Sequence, residues 1–168
     1  MKEQYEKCVQ GERIRLRPIQ HRDIEKIRTW RNDERVRNCF VYSGVISKEQ
    51  QENWWNEYQT RDDDRMYVIE KQDDGFAIGA VALYAVTEQS CEFGRLMIGE
   101  PSALGGGYAL EAVQLLTKFA IEEIGVQRIL LEVFDSNCKA ISIYEKAGYM
   151  PTAQDGKLIH MEYNRKDK

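Results

Sequence analysis

Gly105, Gly106 and Gly107 stand together in the run LGGGYALEA, directly ahead of residues that read as a helix. Glycine weakens a helix end, so three in a row point to a backbone that something must approach closely. The first N–H groups of a helix lack internal partners, and the helix dipole leaves positive charge there. A strand, a glycine turn and a helix start therefore make a site for an anion such as a phosphate. A plain turn fits the same letters. No Lys-Ser/Thr follows the glycines and the spacing is not GxGxxG, which excludes a Walker loop and a dinucleotide fold. Cys8, Cys39, Cys91 and Cys138 form no CxxC pair, and His21 and His160 are the only histidines. No metal site is expected from them, and the thiols read as reduced and structural.

The elements that position these residues can be read from periodicity. RIRLRPI (13–19) alternates as a strand, with Pro18 at an edge or close to its end. Ile24, Ile27 and Trp30 recur at helical spacing, and RNDERVRNCF continues as a short helix or turn. Ser47 and Gln50 form a capping box opening a helix that carries Trp54, Trp55 and Tyr58. MYVIEK, FAIGAVALY and CEFGRLMIG are strands separated by turn-rich segments. A long helix runs from about Gly107 to Glu123, with Ala109, Val113, Leu116, Ala120 and Ile124 as its buried stripe. RILLEVF is nearly all apolar, which predicts a central strand covered on both faces. Asn137 caps a helix ending at Gly148, and YMPTAQ and LIHMEYN close the chain as a hairpin turning at Asp155-Gly156. This mixed order excludes a doubly wound fold and predicts an α+β domain, a mixed sheet flanked by helices.

With 168 residues, the chain has room for one domain with a proper core. Its net charge of −4 gives no global attraction to nucleic acid or an anionic membrane. The apolar runs are too short to span a bilayer, and the first residues lack the apolar core of a secretion signal, so a cytoplasmic protein is expected.

LGGGYALEA together with LEVFDSNCKAISIYEKAGY, about thirty residues on, resembles the GNAT superfamily of acetyl-coenzyme A-dependent N-acetyltransferases. The family loop Gln/Arg-x-x-Gly-x-Gly/Ala maps onto Leu104, Gly107 and Ala109, with leucine in place of the leading polar residue. The run N-x-x-A-x-x-x-Y-E-K-x-G-[FY] from Asn137 to Tyr149 fits closely. The resemblance covers residues 12–168 as one domain after an N-terminal extension, 1–11. It implies a mostly antiparallel sheet of six to seven strands with about four helices, the fourth and fifth strands splayed apart. It also implies acetyl-coenzyme A as co-substrate, with its diphosphate on Leu104, Gly105, Gly106, Gly107, Tyr108 and Ala109. Its pantetheine arm would lie along Leu96, Met97 and Ile98, with Asn137 and Tyr144 beside it. No metal is implied, and a homodimer is compatible with the family.

Amide formation from a thioester needs an uncharged amine and a proton for the departing thiolate. Tyr144 matches the family tyrosine that donates that proton, and core packing is the plainer account of an aromatic there. Glu92 is the candidate base. Alternation along CEFGRLMI places Glu92 on one face with Gly94, Leu96 and Ile98, while a rim salt bridge would explain it equally. Glu132 and His160 are weaker candidates. Trp30, Arg31, Asn32 and Trp54 lie in the region where relatives bind the acceptor amine. Aromatics can stack on a sugar or base and arginines can hold phosphates, though core tryptophans and solvated arginines fit the same pattern. WRND, the ISKEQQENWW helix and EFGRLMIGE resemble the branch that acetylates nucleotide-linked amino sugars. A ribosomal-type protein N-terminus, a polyamine, and an acyl-coenzyme A-binding module without turnover remain alternatives.

Overall fold

The computed structural model describes residues 6–166. One sheet runs through the molecule in the order β1-β2-β3-β4-β5-β6-β8-β7. The strands are β1 (Val9–Gln10), β2 (Ile14–Pro18), β3 (Arg65–Lys71), β4 (Ala77–Tyr84), β5 (Ser90–Ile98), β6 (Arg128–Phe134), β7 (Met150–Asp155) and β8 (Leu158–Asn164). The helices are α1 (Ile24–Asn32), α2 (Glu34–Arg37), α3 (Lys48–Gln59), α4 (Tyr108–Phe119) and α5 (Cys138–Lys146). Every strand contact is antiparallel except β5 with β6. The eight strands exceed the expected six to seven because Val9 and Gln10 pair with Leu16 and Arg15. These two residues lie in the segment read as an extension, whose first five residues are outside the described ones.

Strand alternation feeds two cores, one on each side of the sheet. In β3, Tyr67 and Ile69 join α4 and α5, packing with Val113, Leu116 and Tyr144. Met66 and Val68 point the other way, to Ile27 and Trp30 of α1 and Trp55 and Tyr58 of α3. Each fully buried side chain of this size contributes ~1.5–3 kcal/mol. The capping box at Ser47 is present, with Gln50 N–H on the Ser47 hydroxyl and Ser47 N–H on the Gln50 side chain.

The sheet comes apart at its parallel step. β5 pairs with β6 only at Ser90–Arg128, Cys91–Ile129 and Glu92–Leu130, while β6 continues along β8 to Phe134–Leu158. A bulge accompanies the divergence. Ala82 faces Gly94 and Ala80 faces Met97, so Arg95 and Leu96 share the place opposite Val81. Arg95 takes the left-handed conformation, φ +54°. A bulge bends its strand and inverts the facing of the residues beyond it. Leu96 and Ile98 therefore pack with Cys91 and Phe93 on the α4 side, whereas Met97 joins the α1–α3 side. The expected shared face of Glu92, Leu96 and Ile98 is corrected: the extra residue puts Glu92 opposite to both. The reading of β6 is corrected too. Ile129, Leu131 and Val133 are buried, but Leu130 and Phe134 are half-buried and Glu132 is exposed, because that side of β6 borders the opening.

The end of β5 is fixed by close approach. Trp30 lies flat against Gly99, where an added Cβ would sit 2.1 Å from the indole, and its Nε1 donates to Glu100 at 3.1 Å. Gly99→Ala must displace either the indole or the strand, and overpacking of this kind costs ~1–3 kcal/mol. Urea denaturation should show a lower midpoint with an unchanged slope; an unaltered midpoint would contradict this packing.

Candidate active site

Past β5 the chain makes a short turn at Pro101–Ala103, and Leu104 stands extended and exposed. Gly105 and Gly107 then take positive φ, +77° and +79°, a conformation that side chains resist. Gly107 is the N-cap of α4 and offers no side chain to its free donors. From Gly105 through Leu110 no backbone N–H donates to a partner among the described residues, and Glu111 N–H is the first to do so, to the Gly107 carbonyl at 3.2 Å. Six donors at a helix start are a cradle for an anion.

Arg13 steadies this turn, a role its place in an alternating strand did not signal. Its Nη1 donates to the Gly106 carbonyl at 2.7 Å, its Nε to Glu111 at 2.8 Å, and its Cζ lies 4.6 Å from the Tyr108 ring centre. Glu111 also accepts from the N–H groups of Arg13 and Ile14. Partial burial opposes its ionisation, but these donors outweigh it and lower its pKa below the ordinary glutamate value.

Beside the turn lies the opening between β5 and β6. The Met97 carbonyl is turned to β4, 2.0 Å from where a Gly79 Cβ would be. Alternation thus leaves Leu96 and Ile98 presenting their backbone groups to the opening. Arg35 of α2 reaches it as well, its Nη2 donating to the Ile98 carbonyl at 3.2 Å.

Two tyrosines straddle the point of divergence. Tyr144 comes from the α5 side, buried edge-on against Phe93 at 6.0 Å, and its hydroxyl has no hydrogen bond among the described residues. Burial first, then Tyr84 and Cys39, raise its pKa, so the phenol holds its proton. The Asn137 side chain accepts from Ala140 N–H at 3.3 Å, capping α5 as expected. From the other face Tyr84, absent from the sequence reading, lays its hydroxyl over Gly94, 2.5 Å from where a Cβ would be. Its strand partner is Glu92. Glu132, two residues past Glu92's partner Leu130, shares their face and lies 3.7 Å from His160 Nδ1. Partial burial, then the like charge of Glu132, raise the pKa of Glu92 above the ordinary glutamate value.

On that same side is a cavity of about 340 Å³ walled by Arg31, Phe40, Tyr42, Trp54, Arg95 and Met97, among others, with no carboxylate among the described residues that line it. Arg95 is paired bidentately with the buried Asp64 at 2.7 and 2.8 Å. Of the residues read as acceptor contacts, Arg31 and Trp54 line the cavity. Trp30 does not: it is buried against Gly99, its N–H spent on Glu100. Asn32 holds the cavity's loop instead, bonding the Ile46 backbone at both N–H and carbonyl.

Residues 13–150 match the acetyltransferase (GNAT) domain family, and the chain belongs to it. Among curated proteins it is 29% identical to the SPbeta prophage-derived N-acetyltransferase YokL of Bacillus subtilis, over 89% of this chain and 82% of that one. It is 26% identical to the acetyltransferase PseH of Campylobacter jejuni, over 89% and 90%. The crystal structure of spermidine N-acetyltransferase from Vibrio cholerae, in complex with CoA and spermine, shares the fold. Its TM-score is 0.83 at 20% identity, covering 92% of this chain and 96% of that one. The protein is thus an N-acetyltransferase that moves an acetyl group from acetyl-coenzyme A to an amine. Among the described residues no helix is long and apolar enough to cross a membrane, and no cluster of metal-binding side chains occurs.

If Glu132 helps raise Glu92, Glu132→Gln must lower the Glu92 midpoint toward the ordinary glutamate value. Carboxyl-detected NMR titration reads this directly; an unmoved midpoint would contradict the coupling.

Proposed function

We propose that the protein acetylates the primary amine of a nucleotide-linked amino sugar by direct attack within a ternary complex. The observation that carries this reading is the cavity on the Glu92 side of the sheet: aromatic walls, two guanidinium groups and, among the described residues, no carboxylate in its lining. Aromatic faces suit a sugar or a base, and guanidinium groups suit a diphosphate. A polyamine would bring several ammonium groups to Arg31, whose charge no carboxylate among the described residues pairs, which argues for the sugar nucleotide.

Acetyl-coenzyme A supplies the acetyl thioester. The unpaired amides from Gly105 to Ala109 hold its diphosphate, with Leu104 at the rim and Tyr108 against Arg13. Leu96 and Ile98 offer backbone groups to its pantetheine arm, while Met97 packs on the acceptor side. Glu92 takes the proton of the incoming ammonium. Tyr144, kept protonated by burial, gives its proton to the departing sulfur, and Asn137 sets the start of the helix that carries it.

The test has two arms. Tyr144→Phe should slow transfer by about a hundredfold and leave acetyl-coenzyme A affinity unchanged; an equal rate would remove the acid role. Wild-type protein should release thiol with UDP- or dTDP-linked amino sugars, whereas turnover confined to peptides or spermidine would refute the sugar reading.

A further inference from the structure

Arg31 is 8% exposed, and among the described residues no carboxylate forms an ion pair with it. Its Nη2 donates to the Tyr42 carbonyl, Phe40 stacks over its Cζ at 4.0 Å, and its Nη1 is buried without a partner among the described residues. The cavity's other cation is already neutralised, Arg95 by Asp64. An unpaired charge is costly to bury, and a fold that needed only packing here would be better served by an apolar side chain. Something that binds must repay the cost.

From Val41 through Val45 the covering loop's backbone N–H groups donate to no partner among the described residues. It is anchored at Ile46 by Asn32, while Val41, Tyr42 and Val45 are 60–66% exposed. The bond from Arg31 to Tyr42 uses one carbonyl, where a guanidinium fork can grip two oxygens of a phosphate or carboxylate.

We propose that Arg31 determines acceptor specificity: its two terminal nitrogens grip an oxyanion on the acceptor, and the Tyr42 carbonyl keeps that place until the Phe40–Ile46 loop gives way. The inference rests on the preceding reading only in assigning this cavity to the acceptor. It names the chemistry recognised, a phosphate or carboxylate oxyanion.

The experiment is calorimetry on the full chain saturated with coenzyme A, so that the glycine turn is occupied. UDP, inorganic pyrophosphate and glutarate serve as probes. Wild-type protein should bind at least one of them. Arg31→Met should weaken that binding about tenfold or more, a loss of ~1.4 kcal/mol, with coenzyme A affinity unchanged. Arg31→Lys, which keeps the charge without the fork, should fall between them and serves alone if the methionine variant does not fold. Wild-type protein that binds none of the probes, or variants that bind as tightly as wild type, would overturn the proposal. Binding of glutarate alone would uphold Arg31 and refute the nucleotide-sugar reading, so the two fail separately.

Discussion

Six consecutive amide hydrogens without acceptors among the described residues, from Gly105 to Leu110, are the constraint around which the rest of the structure is arranged. A backbone donor left unpaired costs free energy comparable to a lost hydrogen bond unless water or a ligand accepts from it. Keeping six of them open and aligned takes glycines that tolerate positive φ and a helix behind them. It also takes Arg13 and Glu111, which tie the turn to the start of β2. The turn thereby stays open to an anion without collapsing onto its own carbonyls.

β5 links that turn to the cavity on the other side of the sheet. Its bulge at Arg95 opens the sheet and exchanges the faces of the residues beyond it, so one strand serves two compartments. Phe93 meets Tyr144 on one side, while Met97 lines the cavity on the other. Arg95 can occupy its left-handed place because Asp64 holds its guanidinium and Tyr84 lies beneath it, 4.9 Å from ring centre to Cζ. Tyr144 and Glu92 thus lie on opposite faces of the sheet near the three-rung parallel step where β5 leaves β6.

What the sequence disclosed was local. The glycine turn, the capping box at Ser47, the Asn137 cap and the helical stripe of α4 are set by residues a few positions apart, and the letters carried them. The bulge was hidden because Arg95, an unremarkable strand residue by type, takes its conformation from a register with β4 and an ion pair 31 residues away. For that reason simple alternation misplaced Glu92 relative to Leu96 and Ile98. Trp30 looked like a stacking platform, but only the distant Gly99 reveals that its ring is spent on packing. Arg13 and Tyr84 gave no signal, since their partners come from other strands and helices.

The central claim concerns main-chain donors, and amide-resolved NMR addresses it without any mutation. Titrating the protein with coenzyme A should move the proton and nitrogen resonances of Gly105 through Leu110 most strongly, and titrating it with pantetheine, which lacks the diphosphate, should leave them nearly still. Equal shifts with both ligands, or coenzyme A shifts confined to other segments, would contradict the account.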